Sequence, residues 1–261
     1  SGAYLWNFEF VPVKTMRILY CCFFLIFIAC GKNDGPPPLF QKSATAFTPV
    51  QKAIIAPKVD GKAHDPAWQS LEWKQMDHIW SGKAAADANI QYKLTWTPDA
   101  LYVLLRLENI TIRSTFGNPM EHFNSIDHLS VYVDEDNSAG SYDSSYNAFT
   151  YQISTSNTSV FLDQNKKPRT ANHAVYSALK NYRTTAYWEL RITNFDSTFP
   201  PNAPHQAVSL KPEKLMGFAL AFEHADAKAT NTVLGSVAIP EDYEGRIDLD
   251  AGLFETLKLI Q

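Results

Sequence analysis

The chain lacks cysteine beyond residue 30. Its three cysteines are Cys21, Cys22 and Cys30, so the long C-terminal part can form neither a disulfide nor a thiol-based active site. It also lacks a convincing membrane span, because a spanning helix needs about 20 apolar residues and the apolar run 18–29 is shorter. These two absences exclude a disulfide-stapled scaffold and a transmembrane anchor.

Several motifs of common function classes are missing as well. The chain has 23 basic and 27 acidic residues, and its lysines and arginines form no cluster suited to phosphate contacts. This argues against a nucleic-acid partner. There is no Gly-x-Ser-x-Gly elbow, phosphate loop, dinucleotide glycine pattern or His-Glu-x-x-His zinc spacing. No carboxylate pair stands out as acid and base, so we do not expect an enzyme.

The N-terminal part has the layout of a targeting signal. Met16 and Arg17 precede the apolar run 18–29, which ends in a small residue before Cys30, as in a cleaved signal peptide. The end of the run resembles the lipobox of bacterial lipoproteins, with Phe27 where leucine is usual. The alternative, a buried helix of the folded domain, is disfavoured because a proline run follows.

This pattern predicts four segments. Residues 1–15 are an upstream extension or cloning remnant, 16–29 a lipoprotein signal peptide, 30–50 a lipidated Cys30 with a flexible tether, and 51–261 the folded domain. Several acyl chains on one cysteine suffice for membrane attachment. We therefore expect a protein of the bacterial cell envelope, lipid-anchored on the periplasmic face or the cell surface.

Period-two alternation dominates the chain after residue 88. It predicts a hairpin from "NIQYKLTW" and "LYVLLRL", joined by a turn at "TPDA". The further predicted strands are "HLSVYVD", "AFTYQIS", "AYWELRIT" and "GFALAFE". Short strands between Asp-, Asn-, Ser-, Gly- and Pro-rich segments favour a single all-β domain, an antiparallel β-sandwich of the immunoglobulin or jelly-roll type.

Helix is expected in one place only. In "HDPAW", Asp65 can cap a single turn and Pro66 can occupy its first position. Trp68, Trp96 and Trp188 are predicted to lie in the core.

Four segments, in order, resemble a known family. They are "KVDGKAHDPAW" (a short strand, an Asp-Gly turn and a corner), "YKLTWTPDALYVLLRLEN" (a hairpin), "NSIDHLSVYVDEDNSAGSYD" (a strand into an acidic loop), and "AYWELRIT" with "GFALAFEHAD" (a late strand pair) before the closing "GLFETLKL". The chain resembles the family 9 carbohydrate-binding modules and their DOMON-like β-sandwich relatives over residues 54–260. This resemblance implies a sandwich fold and carbohydrate binding.

The resemblance also implies where a glycan would bind. Members with known sugar binding hold the glycan between two tryptophans, because sugar C–H faces need flat apolar area. At the first place this chain offers Met120 or Phe123, and at the second only Tyr243. Trp80, between predicted elements, is expected to be exposed and to offer a further platform.

The acidic loop "DEDNSAGSYD" carries hard oxygen ligands at short spacing. Asp134, Asp136, Asn137 and Asp143 suit calcium, although Ala139 stands where an EF-hand loop requires glycine. The alternative is a solvated turn whose side chains bond their own backbone. Calcium is the cofactor that the residues of this loop suggest.

The leading hypothesis is therefore a non-catalytic, monomeric envelope lipoprotein that binds an oligosaccharide or polysaccharide. A structural or protein-partner-binding lipoprotein is the main alternative, because the paired tryptophans are absent. Haem binding through Met120 is a third possibility, since a branch of the same superfamily holds haem through Met, His or Lys. A glycosidase is a fourth, since such modules accompany catalytic domains.

Overall fold

The alternating segments form strands in the computed structural model, which describes residues 37–43, 46–85, 87–113, 126–199, 206–225 and 231–261. The strands are β1 Thr48–Gln51, β2 Lys74–Gln75, β3 His78–Ser81, β4 Asn89–Thr97, β5 Ala100–Glu108, β6 His128–Asp134, β7 Phe149–Ser154, β8 Ser159–Leu162, β9 Pro168–Thr170, β10 Val175–Tyr182, β11 Thr185–Ile192, β12 Leu215–His224, β13 Thr232–Gly235 and β14 Glu255–Ile260. One α-helix, α1, spans Pro66–Gln69, and 3₁₀ turns span Glu241–Tyr243 and Ala251–Leu253.

The strands form two sheets. The larger sheet has the order β1-β14-β12-β6-β7-β8-β9, with β13 and then β3 added beside β12, and the smaller has the order β10-β11-β5-β4-β2. Neighbouring strands are antiparallel, except that β1 runs parallel to β14. The predicted all-β sandwich is confirmed, with this parallel edge as its one departure from the antiparallel pattern among the described strands.

The main core lies between the sheets, on the faces that the alternation predicts. Each predicted strand sends every second side chain inward. The inward residues include Ile90, Tyr92, Leu94, Trp96, Leu101, Val103, Leu105, Leu107, Leu129, Val131, Val133, Phe149, Tyr151, Ile153, Trp188, Leu190, Ile192, Phe218, Leu220 and Phe222. Burying a large apolar side chain stabilises a fold by roughly 1.5–3 kcal/mol, so this layer supplies most of the driving force.

Each sheet also has a smaller apolar cluster on its outer face. On the larger sheet, Tyr132, Ala219 and Ala221 are covered by Ile247 and Phe254 from the chain before β14. On the smaller sheet, the cluster comprises Trp68, Ala100, Tyr102 and Leu104, with Val59, Leu71 and Trp73 packed against it. Trp68 is therefore buried as predicted, but outside the central layer.

Helix α1 begins where the sequence places it. Pro66 stands at the start, where its missing N–H is not needed. Asp65 precedes it as N-cap, but its side chain accepts no capping hydrogen bond. The helix is anchored instead by the Trp68 Nε1, which donates to the Glu189 carboxylate at 3.0 Å.

Three details differ from the sequence predictions. The folded unit begins before residue 51, because residues 37–261 cluster together and β1 starts at Thr48 within the predicted tether. No strand forms at residues 58–60, and the backbone N–H groups of Asp60 and the following Gly61 donate to the buried Glu189 instead. The late strands β11 and β12 are not a pair, because they lie in different sheets.

Candidate functional site

A cleft opens where two strands of the larger sheet separate. Strands β7 and β8 pair only at Gln152 with Val160 and at Ile153 with Ser159, and beyond these pairs they diverge. The gap has a volume of about 270 Å³. The cleft is lined by Tyr142, Asp143, Ser145, Tyr146, Ala148, Phe149, Thr150, Gln152, Phe161, Leu162, Asp163, Gln164, Lys166 and Asp248.

Aromatic side chains packed against one another form one part of this lining. Tyr146 stacks on Phe149 with ring centroids 5.7 Å apart and planes only 8° from parallel. Phe199 meets the edges of both rings and of Phe161. The Tyr146 hydroxyl is buried without a hydrogen-bond partner among the described residues. A buried polar group without a partner is costly, so this hydroxyl is a candidate to bond a ligand.

The β8–β9 turn contributes a fixed carboxylate. Asp163 is 4% exposed and accepts hydrogen bonds from the backbone N–H groups of Asn165 and Lys167 at 2.9 and 3.0 Å. Arg169 donates to its second oxygen at 2.8 Å. The hydrogen bond from Lys167, with help from Arg169, lowers the pKa of Asp163. This carboxylate is therefore ionised and neutralised by Arg169.

A lysine and an aspartate connect the two walls of the cleft. Lys166, from the β8–β9 turn, donates to the backbone carbonyl of Asp143. Its Nζ also lies 4.0 Å from the Asp143 carboxylate. Both side chains are about half exposed, so this pair is screened by solvent and can open at little cost.

The third carboxylate of the cleft, Asp248, precedes β14 and is open to solvent. Neighbouring groups partly desolvate it, which raises its pKa, and Glu223 adds to the rise, while a hydrogen bond with Tyr132 and the nearby His128 oppose it. The nearby Tyr142 is buried, and its hydroxyl donates to the Ile247 carbonyl at 2.6 Å. Asp248 is thus a solvent-exposed carboxylate next to the buried, hydrogen-bonded Tyr142.

Polar groups continue from the cleft along the outer face of the larger sheet. His128 is fully buried, with Nε2 3.5 Å from the Glu223 carboxylate. Asn231 Nδ2 donates to the other Glu223 oxygen at 2.6 Å. Beside them, the buried Asp127 accepts from the Ala225 N–H at 2.8 Å. These groups border two segments, 114–125 and 226–230, that lie outside the described residues.

Trp80 lies on strand β3 and not between elements, which corrects that prediction. Its Nε1 donates to the Val237 carbonyl at 2.8 Å, and its ring meets Tyr132 edge-on at 5.9 Å. A Cβ at Gly235 would come within 2.0 Å of the indole, so the ring lies directly against this glycine. The half-buried Trp80 therefore packs against the sheet, and its role as a ligand platform stays a prediction.

The other predicted ligand residues are not assembled with Trp80 into one slot. Tyr243 lies in the 3₁₀ turn and packs edge-on against Phe40 at 5.1 Å. Trp80 and Tyr243 border the same outer cluster, but neither lines the cleft. Met120, Phe123 and Cys30 lie outside the described residues.

The acidic loop bonds largely to its own backbone. Asp134 accepts from the N–H groups of Ser138 at 3.2 Å and Ala139 at 2.8 Å, and Asp136 also accepts from Ser138 at 3.1 Å. Asn137 Oδ1 accepts from Lys42 at 2.7 Å. Burial raises the pKa of Asp134 to about 6. This geometry favours the self-bonded turn, and the calcium site stays a prediction.

Asp143, the fourth predicted calcium ligand, lines the cleft instead. Across the described ranges, no group of three or more His, Cys, Asp or Glu residues is placed to hold a metal ion. In the same ranges, no helix is long and apolar enough to cross a membrane.

Most of the cleft residues could not be predicted from the sequence. Tyr146, Gln152, Asp163 and Asp248 come from a loop, a strand face, a turn and the chain before β14, and only the fold brings them together. The one available signal was a polar side chain at an alternate strand position, as at Gln152. A polar residue at such a position predicts that this face of the strand points outward, but it does not predict a ligand-binding site.

Comparisons with known proteins agree with this fold. A family model described as "Carbohydrate family 9 binding domain-like" matches residues 59–255. Comparison with curated proteins gave no match.

Two similar solved structures are both of a carbohydrate binding module family 9 from Caldicellulosiruptor kristjanssonii. The complex with cellotriose is 22% identical, with a TM-score of 0.60 over 82% of this chain and 94% of that chain. The complex with glucose is 21% identical, with a TM-score of 0.58 over 81% and 95%. At these identities, the likeness shows a shared fold.

Proposed function

Because the chain belongs to the carbohydrate family 9 binding domain-like family, we propose that it binds a carbohydrate without transforming it, in the cleft between β7 and β8. The family membership carries this proposal, and the polar and aromatic lining of the cleft supports it. The similar solved modules were crystallised with cellotriose and with glucose, which makes a glucose-based sugar the first ligand to try.

The lining of the cleft suits a polyhydroxylated ligand. Sugar hydroxyls pair with carboxylates and amides, which Asp163, Asp248 and Gln152 supply. Sugar C–H groups pack on apolar surface, and the 55% exposed Leu162 adds to it. The volume of about 270 Å³ is below the 300–1,000 Å³ typical of sites for drug-sized ligands. We therefore expect one or two sugar rings to enter the cleft.

Isothermal titration calorimetry of the whole chain against a panel of oligosaccharides tests the proposal. Gln152→Ala removes one amide from the cleft wall and is expected to weaken binding about fivefold, because one hydrogen bond contributes about 1 kcal/mol. Gln69→Ala, at the exposed end of α1, is the matched control and should leave affinity unchanged. Absence of binding across the panel, with a cooperative melt, would shift the function towards a protein partner.

The location of the protein is a separate proposal, which rests on the sequence alone. A lipid on Cys30 would hold the domain at a bacterial membrane, because each buried methylene of an acyl chain contributes about 0.8 kcal/mol. Expression in a bacterial host should place the protein in the membrane fraction, with an acylated Cys30 found by mass spectrometry. Cys30→Ser should move it to the soluble fraction, and an unchanged distribution would contradict the proposal.

A further inference from the structure

The charged groups of the cleft are not evenly balanced. Three carboxylates, Asp143, Asp163 and Asp248, and one ammonium, Lys166, line it. Lys166 is engaged by the carbonyl and the carboxylate of Asp143. Arg169, beside the cleft, is engaged by Asp163. Arg169 is therefore held tightly by a buried partner, and Lys166 is paired by a contact that is screened by solvent.

Asp248 is the carboxylate left over. Among the described residues it forms no ion pair with lysine or arginine, and it is open to solvent. Glu223 adds a second negative charge nearby, whereas a hydrogen bond from Tyr132 and the neighbouring His128 favour the ionised form of Asp248. Asp248 is therefore a carboxylate of the cleft lining that has no lysine or arginine to neutralise it among the described residues.

The cleft is more than an acidic patch, because it is a cavity with a buried polar group in its lining. Tyr146 is only 6% exposed, and its hydroxyl has no partner among the described residues. That hydroxyl can donate to a ring or hydroxyl oxygen of any sugar, whatever the charge of the sugar.

We propose that the cleft ranks sugars by their charge, binding amino sugars most tightly and acidic sugars least, with Asp248 as the specificity-determining residue. This inference rests on the proposed carbohydrate binding. A unit-charge pair about 4 Å apart in water changes affinity about fivefold, and partial enclosure increases the effect. We expect at least this factor between an amino sugar and its neutral analogue, and again between the neutral and the acidic analogue.

The test is calorimetry with matched β-1,4-linked disaccharides of glucosamine, glucose and glucuronate. At about pH 6 the amine is largely protonated and the sugar carboxylate is ionised. The wild-type chain should bind them in that order, and the differences should shrink when salt is raised from about 10 mM to about 1 M, because salt screens exposed charges. Equal affinities, or the reverse order, would overturn the ranking and leave carbohydrate binding intact.

Asp248→Asn supplies the second arm. It should bring the affinities for the three disaccharides to within about twofold of one another, because the charge that ranks them is gone. Glu72→Gln removes an exposed carboxylate outside the cleft and should leave the ranking unchanged. A ranking that survives Asp248→Asn would overturn the role of Asp248. If none of the sugars binds to the folded wild-type chain, the proposed function itself fails.

Discussion

At the scale of single residues, Gly235 decides where Trp80 can lie. A Cβ at this position would stand 2.0, 2.3 and 2.4 Å from three atoms of the indole, which no packing tolerates. The glycine thus lets the ring lie against strand β13, and the Trp80 Nε1 donates to the Val237 carbonyl beyond that strand. A sequence pattern does not reveal this, because Trp80 and Gly235 are far apart along the chain.

We therefore expect Gly235→Ala to destabilise the protein by about 1–3 kcal/mol, as overpacking does. In a Trp80→Ala background the same change should cost much less, because the clashing ring is gone. Urea unfolding of the four variants of this cycle measures the coupling. Additive effects would contradict the described contact.

The buried Asp134 should make the stability of the fold depend on pH. Its carboxyl is 0% exposed, and burial raises its pKa to about 6. Between the unfolded pKa of about 4 and this value, the folded chain holds a proton that the unfolded chain has lost. This group therefore stabilises the fold increasingly as pH falls from 7 to 5.

The contribution over that interval should be about 1 kcal/mol, and Asp134→Asn should remove it. Melting temperatures at pH 7 and 5 test this, with the difference between wild type and variant as the readout.

Calcium in the loop would ionise Asp134, so added calcium should raise the melting temperature at pH 7 and abolish the gain on acidification. An unchanged melt with calcium and with chelator would contradict the calcium site.

At the scale of elements, the sequence predicted the longer strands but not which strands pair with one another. Alternation identified the inward faces of β4 to β7, β11 and β12 because half-buried strands repeat every two residues. It missed the short strands β1, β2, β3, β8, β9 and β13, which have two to four residues each, and it missed β10, most of which is exposed or half-buried. It could not show that β11 and β12 belong to different sheets. It also could not show that β7 and β8 separate, since pairing depends on contacts between distant residues.

The segment before α1 depends on one buried carboxylate. Glu189, on β11, is 0% exposed and accepts from the N–H groups of Asp60 at 2.9 Å and Gly61 at 2.8 Å and from Trp68 Nε1 at 3.0 Å. Glu189→Gln replaces one acceptor oxygen by a donor and removes the charge. We expect a loss of about 2–3 kcal/mol in the free energy of unfolding.

Urea unfolding measures that loss. Glu213→Gln is its control, since this 70% exposed side chain pairs with Lys258 at the surface and should contribute less than about 1 kcal/mol. Similar effects of the two substitutions would show that Glu189 does not hold the segment.

The cleft between β7 and β8 contains a buried hydroxyl, that of Tyr146, whose removal can be tested. Its hydroxyl is buried without a partner among the described residues, so Tyr146→Phe should leave stability unchanged or raise it by up to about 1 kcal/mol. If the hydroxyl bonds a sugar, the same substitution should weaken sugar binding about fivefold. Thermal melting and calorimetry on one sample separate the two effects, and a stability loss with unchanged affinity would assign Tyr146 to the fold.

At the scale of the whole molecule, the first and last strands, β1 and β14, meet at one tryptophan. Trp96 Nε1 donates to the Val50 carbonyl at 3.1 Å and to the Ile260 carbonyl at 3.0 Å, which ties β1 and β14 to the smaller sheet. This contact explains why the folded unit includes residues that composition assigned to a tether. Family resemblance and alternation together predicted the sandwich, whereas the cleft follows from a local separation of two strands.

Carbohydrate binding in the cleft can be tested by titrating the whole chain with a series of oligosaccharides and repeating the titration with Gln152→Ala and Gln69→Ala. We expect saturable binding that Gln152→Ala weakens about fivefold and Gln69→Ala leaves unchanged. Binding that neither substitution alters would place the sugar elsewhere on the domain. A folded chain that binds no sugar would contradict carbohydrate recognition altogether.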